Sequence, residues 1–206
     1  MSEWPHRHTQ ATHASIRQAG GMTDGEAETR TLVLLRHAKA EQPGNGPDVE
    51  RRLTARGHAD AAAAGAWLAR QALLPDVVLC SAARRTRQTW HDVALGMTGV
   101  PPEGGPAGTA PVVRYAAAAY EAHPDDLLDL VRMVEPEAHT VLLVAHNPGI
   151  SLLSALLDPE LADREGLRTT DLAVHRTTRA VHRTTTSWAD LTPGDSPIIA
   201  RHTARG

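Results

Sequence analysis

Thr31-Leu-Val-Leu-Leu-Arg36-His37-Ala38 is the stretch of this 206-residue chain that decides its fold. Its four consecutive apolar residues predict a short β-strand that is buried on both faces. An arginine and a histidine do not fit along such a strand, so Arg36 and His37 are expected just beyond its carboxyl end. Open α/β sheets bind their ligands at that edge. On this stretch alone, an ordinary strand end with two solvated polar residues explains the pattern equally well.

Two further strands are predicted to end at the same edge of the sheet. Thr140-Val-Leu-Leu-Val-Ala145-His146 is again apolar and ends in a histidine, and Asn147-Pro148 after it predicts a helix start with Asn147 as the N-cap. Asp76-Val-Val-Leu-Cys80 is followed by the arginines Arg84 and Arg85. This convergence of histidines and arginines is hard to explain by stability alone. Strands that alternate with helices in this way predict a three-layer α/β/α domain with a mostly parallel central sheet.

Four short motifs, each at a strand or helix boundary, resemble those of the histidine phosphatase superfamily, the phosphoglycerate-mutase-like proteins. In chain order they are Leu35-Arg36-His37-Ala38, Leu53-Thr54-Ala55-Arg56-Gly57, Cys80-Ser81 through Arg85 and Gln88-Thr89, and Ala145-His146-Asn147-Pro148-Gly149. The similarity runs from about Thr31 to the C-terminus and is greatest to the bacterial SixA-type phosphohistidine phosphatases. The family spacing Ser-x-x-x-Arg-x-x-Gln-Thr selects Arg85 as the phosphate-binding arginine and leaves Arg84 at the surface.

The resemblance implies a phosphatase in which His37 accepts the phosphoryl group as a covalent phosphohistidine, which water then hydrolyses. Arg36, Arg85 and His146 would bind the phosphoryl oxygens together with His37. No cofactor and no metal are expected, because the arginines supply the positive charge that Mg²⁺ supplies in other phosphoryl-transfer enzymes. The implied substrate is phosphohistidine in a protein. Two alternatives remain open: a phosphomonoesterase of the same fold that acts on a small metabolite, and a non-catalytic module that binds phosphate or a phosphoprotein.

The proton donor for the leaving group is the least defined part of the predicted site. Family members that act on phosphate esters have a carboxylic acid after the third strand, and Glu121 stands at about that place, with Asp125 and Asp126 behind it. Each of the three would serve equally well as an acid at the start of a helix. A phosphohistidine substrate needs less help, because its leaving imidazole can already be protonated on the other nitrogen.

Length, charge and cysteine content limit the classes of protein to consider. The length suits one domain, and we expect residues 1–30 to be a disordered polar tail and residues 31–206 to be the histidine phosphatase domain. A formal net charge of -3 gives no reason to expect a nucleic acid or an acidic membrane as a partner. The single cysteine, Cys80, cannot form an intramolecular disulfide, and no apolar run is long enough to span a bilayer. A cytoplasmic protein is therefore predicted.

The segments around these motifs have predictions of their own. Residues 41–52 are rich in Gly and Pro and predict a loop that folds over the pocket. Ser81 is expected to cap the helix that follows it. A long helix capped by Thr54 is expected to bury one stripe, made of Ala59, Ala62, Ala63, Ala66 and Trp67. The repeat Ala-Val-His-Arg-Thr-Thr at 173–178 and 180–185 predicts a β-hairpin, and residues 197–202 predict an edge strand.

Overall fold

Residues 29–98, 110–178 and 187–206 are described by the computed structural model of the chain. Residues 1–28 of the predicted tail and the second copy of the repeat therefore lie outside the described residues, whereas the last two residues of that tail, Thr29 and Arg30, belong to the first strand. Three segments fold as short 3₁₀ turns, namely Asp48–Glu50, Ala117–Ala119 and Trp188–Asp190. The strands are β1 (Thr29–Arg36), β2 (Val77–Ser81), β3 (Val112–Ala116), β4 (Thr140–Ala145), β5 (Asp171–Thr178) and β6 (Ile198–Thr203), and the helices are α1 (Ala55–Arg70), α2 (Arg84–Thr98), α3 (Pro124–Arg132) and α4 (Gly149–Leu157).

The strands form one six-stranded sheet in the order β3-β2-β4-β1-β5-β6. Strands β1 and β2 are each parallel to β4, and β3 is parallel to β2. Strand β5 runs antiparallel to both β1 and β6. The prediction of a mostly parallel central sheet is therefore confirmed. The parallel half carries the predicted site, because the carboxyl ends of β1, β2 and β4 meet at one edge.

Strand β1 divides its side chains between two cores on opposite faces of the sheet. Leu32 and Leu34 belong to a cluster with residues of α3 and α4, whereas Val33 and Leu35 belong to a cluster with residues of α1 and α2. This alternation is the two-residue period of a strand buried on both sides. It confirms the three-layer α/β/α arrangement. None of the described helices is long and apolar enough to cross a membrane.

The buried face of α1 differs from the predicted stripe. Ala59 is exposed and the other four predicted positions are only half-buried. A Cβ at Gly65 would lie 1.9 Å from the Val93 carbonyl oxygen, so the two helices α1 and α2 approach each other at this glycine. An alanine-rich helix has methyl groups on every face, so its apolar pattern does not select one face for burial. The buried face is the one on which Gly65 allows α2 to approach closely. The residues that α1 buries are Gly57, Asp60, Ala61, Ala64, Gly65 and Leu68.

The late strands lie at one end of the sheet. Strand β5 has β1 along one edge and β6 along the other, and both pairings are antiparallel. The hairpin predicted from the repeat involves its second copy, which lies outside the described residues, so it stays a prediction. The prediction of an edge strand near the C-terminus is confirmed by β6.

Asn147 is not the N-cap of α4. The helix begins at Gly149, one position later than predicted, and Pro148 occupies the N-cap position. The Asn147 side chain instead donates to the Leu167 carbonyl oxygen at 2.9 Å and accepts from the Ser151 hydroxyl at 2.6 Å. It therefore joins α4 to the segment that leads into β5.

Candidate active site

The register between β1 and β4 places the two predicted histidines side by side. Arg36 lies opposite Ala145, and the backbone N–H of His37 donates to the Ala145 carbonyl oxygen at 3.1 Å. The ring centroids of His37 and His146 are 5.1 Å apart. Strand β2 is the other neighbour of β4, and it ends at Ser81. Three parallel strands thus deliver these side chains to one edge of the sheet.

His37 has one ring nitrogen engaged and the other available. Its Nδ1 lies 2.8 Å from the Ala38 carbonyl oxygen. Since a carbonyl oxygen can only accept, Nδ1 carries the proton and Nε2 keeps its lone pair. Burial, with a smaller contribution from the neighbouring arginines Arg85 and Arg36, lowers the pKa of His37 to about 4. The ring is therefore neutral at neutral pH.

Helix α2 holds the backbone around His37 in place. The Thr89 hydroxyl accepts from the backbone N–H of Ala38 at 3.0 Å, and the Gln88 side-chain oxygen accepts from that of Leu53 at 2.9 Å. Ala38 in turn supplies the carbonyl oxygen that fixes the His37 ring. This explains why glutamine and threonine follow the arginine of the motif: Thr89 fastens the loop after His37 to α2, and Gln88 fastens the segment before α1 to the same helix.

His146 is oriented by Ser81 across the sheet edge. Its Nε2 lies 2.8 Å from the Ser81 Oγ, whereas its buried Nδ1 has no hydrogen-bond partner among the described residues. Burial first, then the nearby His37 and Arg85, lowers the pKa of His146 to about 3. Ser81 was predicted as a helix cap, but its contact with the Ala83 N–H is long at 3.4 Å. The contact with the histidine is the shorter one, and the sequence pattern did not indicate it.

Both predicted arginines are turned so that a donor remains free. The Arg36 Nη1 donates to the Leu167 carbonyl oxygen at 2.9 Å, and the Arg85 Nη1 donates to the Asp48 carbonyl oxygen at 2.8 Å. In each guanidinium the Nε is buried and has no hydrogen-bond partner within residues 29–98, 110–178 and 187–206. Buried donors are normally satisfied, because an unpaired one costs about 1–3 kcal/mol. Unpaired donors beside His37 indicate an anion site.

Asp48 was not identified from the sequence and contacts this group directly. Its carboxylate lies 3.0 Å from the Arg85 Nη2 and accepts from the Tyr120 hydroxyl at 2.7 Å. It also lies 2.7 Å from the Arg51 Nε. The Tyr120 hydrogen bond, followed by the charges of Arg85 and Arg51, lowers the pKa of Asp48. The loop of residues 41–52 therefore folds onto the site as predicted, but a lone aspartate in such a loop gave no sequence signal.

Tyr120 is a second residue that the sequence did not indicate. Its ring meets the His146 ring edge to face at a centroid distance of 5.4 Å. The Arg85 guanidinium lies 5.6 Å from the centre of the same ring, within the range of a cation–π contact. Tyr120 therefore packs between the two groups that are predicted to bind phosphate.

The remaining predicted residues lie outside this group of contacts. The Arg84 Nη1 is 3.8 Å from the Glu50 carboxylate, and 35% of the Arg84 side chain is exposed against 6% for Arg85. Glu121 is exposed and makes no hydrogen bond or ion pair with any described residue. The Asp126 carboxylate accepts from the His123 N–H at 3.0 Å, which is a helix-capping contact. In the described ranges, no three His, Cys, Asp or Glu side chains are grouped so as to hold a metal ion.

Comparison with known proteins gives a family match and close relatives. The family described as the histidine phosphatase superfamily (branch 1) matches residues 32–104. An uncharacterised protein of Mycobacterium tuberculosis is 35% identical over 179 residues, which span 83% of this chain and 100% of the relative. An uncharacterised protein of Mycobacterium leprae is 30% identical over 175 residues, with 83% of this chain and 100% of the relative covered.

The fold matches solved structures assigned to the phosphohistidine phosphatase SixA. The structure from Nakamurella multipartitia is 31% identical with a TM-score of 0.67, and the alignment covers 86% of this chain and 98% of the other. The match shows the same fold over nearly the whole of that protein. Together with the family match and the motifs around His37, Arg85 and His146, these findings establish that the chain belongs to the histidine phosphatase superfamily.

Proposed function

We propose that the protein is a metal-independent phosphatase that uses His37 as its nucleophile and removes phosphate from phosphohistidine in proteins. One observation carries the proposal. The unprotonated Nε2 of His37 stands at a sheet edge where Arg36, Arg85 and His146 each keep a buried nitrogen that has no hydrogen-bond partner among the described residues. Phosphoryl transfer requires a nucleophile and fixed donors for the charge on the equatorial oxygens.

In the first step, Nε2 of His37 attacks phosphorus and the bond between phosphorus and the leaving nitrogen breaks. The phosphoryl group is then covalently bound to His37. The positive charge that forms on the His37 ring is stabilised by the hydrogen bond from Nδ1 to the Ala38 carbonyl oxygen. Arg36 and Arg85 hold the phosphoryl oxygens, because a guanidinium stays charged at any physiological pH. Neither a metal nor a cofactor takes part in this step.

In the second step, water attacks phosphorus, the bond to Nε2 breaks, and inorganic phosphate leaves with His37 restored. We assign the Ser81 hydroxyl as the donor of the hydrogen bond to the Nε2 of His146, which leaves Nε2 as the acceptor. His146 then carries its proton on Nδ1, the nitrogen that has no partner among the described residues. That N–H is the third donor for the transferring group.

The choice of phosphohistidine as the substrate follows from the acids at the site. The Asp48 carboxylate contacts Arg85, and its lowered pKa makes it a poor proton donor. Glu121 is exposed and is the remaining candidate for an acid that would serve an ester substrate. A phosphohistidine does not depend on such an acid, because its leaving imidazole is protonated on the other nitrogen. The solved relative assigned to SixA is described as a phosphohistidine phosphatase.

A cytoplasmic location is part of the proposal. Cys80 is free and buried, and burial raises its pKa to about 12, so it is an unreactive thiol. A chain with one buried thiol fits a reducing compartment.

The test is to label the protein with phosphoramidate and to compare substrates. Wild-type protein should acquire an acid-labile, base-stable phosphate, and His37→Ala should lose both label and turnover, by on the order of 10⁴-fold or more. A phosphohistidine peptide should release phosphate faster than a matched phosphoserine peptide. Faster release from phosphoserine or from a small phosphate ester would indicate a phosphomonoesterase, with Glu121→Gln then expected to reduce turnover. Tight binding of phosphate without any label would indicate a binding module.

A further inference from the structure

A cationic cleft of about 380 Å³ adjoins the nucleophile. Arg36 and His37 form one wall, so the cleft continues from the phosphoryl site. Five basic side chains line it against two carboxylates, those of Glu41 and Asp60. The basic residues are Arg36, Lys39, Arg51, Arg56 and Arg205. Such an excess of one charge in a concave surface attracts ligands of the opposite charge.

Apart from Arg36, which belongs to the phosphoryl site, two of these cations are paired with carboxylates and two have no such pair among the described residues. The Arg51 Nε lies 2.7 Å from the Asp48 carboxylate, and the Arg56 Nε lies 3.6 Å from that of Asp60. Lys39 and Arg205 are both exposed, and neither forms an ion pair with a carboxylate in the described part of the chain. Among the described residues, the Arg205 guanidinium donates to two backbone carbonyl oxygens, those of Ala204 and Thr169. These two side chains keep their charge for a ligand.

The backbone that carries Lys39 is fixed against the start of α1. The Lys39 carbonyl oxygen accepts from the Thr54 N–H at 2.9 Å. A Cβ at Gly57 would lie 2.1 Å from the same oxygen, so only glycine permits this approach. The motif Leu-Thr-x-x-Gly therefore has a physical purpose beyond capping a helix: it holds the Lys39 backbone beside the site.

The C-terminal residues are anchored to the same region. The Gly206 N–H donates to the Asp60 carboxylate at 3.0 Å, and the Ala204 N–H donates to the Thr170 carbonyl oxygen at 3.3 Å. Thr170 in turn donates its N–H to the Arg36 carbonyl oxygen at 3.2 Å. Arg205 lies between these two anchored residues, Ala204 and Gly206. It is far from Lys39 in sequence but lines the same cleft.

We propose that this cleft binds acidic side chains that flank the phosphohistidine of a protein substrate. The inference rests on the proposed function and specifies its substrate class. Lys39 and Arg205 line the same cleft as Arg36 and His37, so acidic residues on either side of a phosphohistidine at His37 would lie within reach of these free cations. A second phosphate on one small molecule would present its charge at a single point. Complementary charge of this kind acts on binding and encounter rather than on the chemical step.

The experiment compares two phosphohistidine peptides of equal length, one flanked by Glu and Asp and the other by Gln and Asn. Wild-type protein should show a KM for the acidic peptide that is roughly three- to tenfold lower, with kcat unchanged, as expected for a few exposed ion pairs. The preference should shrink as salt is raised from low to physiological ionic strength, because exposed pairs are screened. The double substitution of Lys39→Gln and Arg205→Gln should abolish the preference for the acidic peptide. Lys39 is the only lysine of the chain, so amine acylation gives an independent way to remove its charge.

The matched control is Arg70→Gln, which removes an exposed arginine at the far end of α1, about 21 Å along the helix from Arg56. It should keep the full preference for the acidic peptide. Phosphoramidate hydrolysis should be the same in every one of these variants, which separates failure of this inference from failure of the proposed function. If phosphoramidate is not turned over, peptide dissociation constants replace KM in the same comparison.

Three outcomes would overturn the inference. The first is equal KM values for the two peptides in wild-type protein. The second is a preference that survives the loss of both Lys39 and Arg205. The third is a small bisphosphate that competes for the cleft better than the acidic peptide does, since this would assign the cleft to a second phosphate group.

Discussion

Two regions of the molecule bury histidines in opposite ways. His175 lies in the middle of β5 with no exposed surface, and both of its ring nitrogens are hydrogen-bonded, to the Ser196 carbonyl oxygen at 2.8 Å and the Ser154 hydroxyl at 3.0 Å. His37 and His146 lie just beyond strand ends, and within the part of the chain that the structure describes each has one ring nitrogen hydrogen-bonded and the other without a partner. A histidine satisfied on both sides holds the sheet to α4. A histidine with one ring nitrogen unpaired, beside arginines with unpaired N–H donors, can bind or react with an anionic ligand.

The local sequences of the two regions are nevertheless alike. Val174-His175-Arg176 and Leu35-Arg36-His37 both join a β-branched or aliphatic residue to a histidine and an arginine. What differs is the position along the strand. Strand β5 continues beyond His175, whereas β1 ends at Arg36. The strand end, rather than the residue types, therefore separates the candidate nucleophile His37 from the structural His175.

The largest difference between the regions should appear in turnover. His146→Ala should lower kcat by ~10²–10³, because it removes one preorganised donor to the transferring group. His175→Gln should leave turnover per folded molecule nearly unchanged. Ser81→Ala should have a smaller effect than His146→Ala, since the ring remains but loses its fixed tautomer. Steady-state kinetics with a phosphohistidine peptide provides the measurement, and a comparable loss of kcat at His175 would contradict the assignment.

The next largest effect concerns the two adjacent arginines. Arg85→Ala should weaken vanadate or tungstate binding by roughly 10–100-fold, because a charged hydrogen-bond donor is worth about 1.5–3 kcal/mol. Arg84→Ala is the matched control and should change binding by less than a factor of about three, since Arg84 pairs with Glu50 at the surface. Titration calorimetry measures both. Equal losses, or a larger loss at Arg84, would show that the motif alignment is displaced by one residue.

A more moderate effect is expected for Asp48, which holds Arg85 through both a carboxylate and a carbonyl oxygen. Asp48→Ala should lower kcat/KM by about tenfold, because Arg85 loses one of its two fixed contacts. Asp48→Asn should keep most of the wild-type kcat/KM, since an amide oxygen can still accept a hydrogen bond. An increase in activity or in anion affinity for Asp48→Ala would show instead that the carboxylate competes with the substrate phosphate for Arg85.

The last difference is the pH dependence of stability, which distinguishes the two regions. The pKa values of His37, His146 and His175 are all lowered in the folded protein, chiefly by burial. The unfolded chain therefore binds more protons than the folded one below about pH 6.5, and stability should fall as the pH falls towards 4. Each histidine contributes at most about 1.4 kcal/mol per pH unit in that window.

Urea unfolding at pH 7 and pH 5 measures this slope. His175→Gln should reduce the slope and also lower stability at pH 7, because two buried partners lose a hydrogen bond. His37→Ala should reduce the slope with little loss at pH 7. Equal stability of wild-type protein at the two pH values would mean that these histidines are not buried in the neutral form.

Much of the fold and of the candidate site follows from local patterns in the sequence. Each parallel strand of the site is a continuous apolar run, and the polar residues after it mark where the strand stops. Arg36, His37 and His146 are therefore placed by the strand ends themselves. Arg85 is placed by its spacing from Ser81, since four residues into a strand-to-helix turn is a distance that local geometry determines. These features depend on residues that are neighbours in the chain.

Other features were decided only by the tertiary structure. Ser81 and His146 are 65 positions apart, and Asp48 and Arg85 are 37 apart. Such pairs meet because β2 lies beside β4 and the loop before α1 folds over α2, which no local period encodes. The buried face of α1 is likewise determined by the close approach of α2 at Gly65. The neighbours of β5 are determined by the order of strands in the sheet. Local sequence determines where strands and helices begin and end, whereas long-range packing determines which of their polar groups meet.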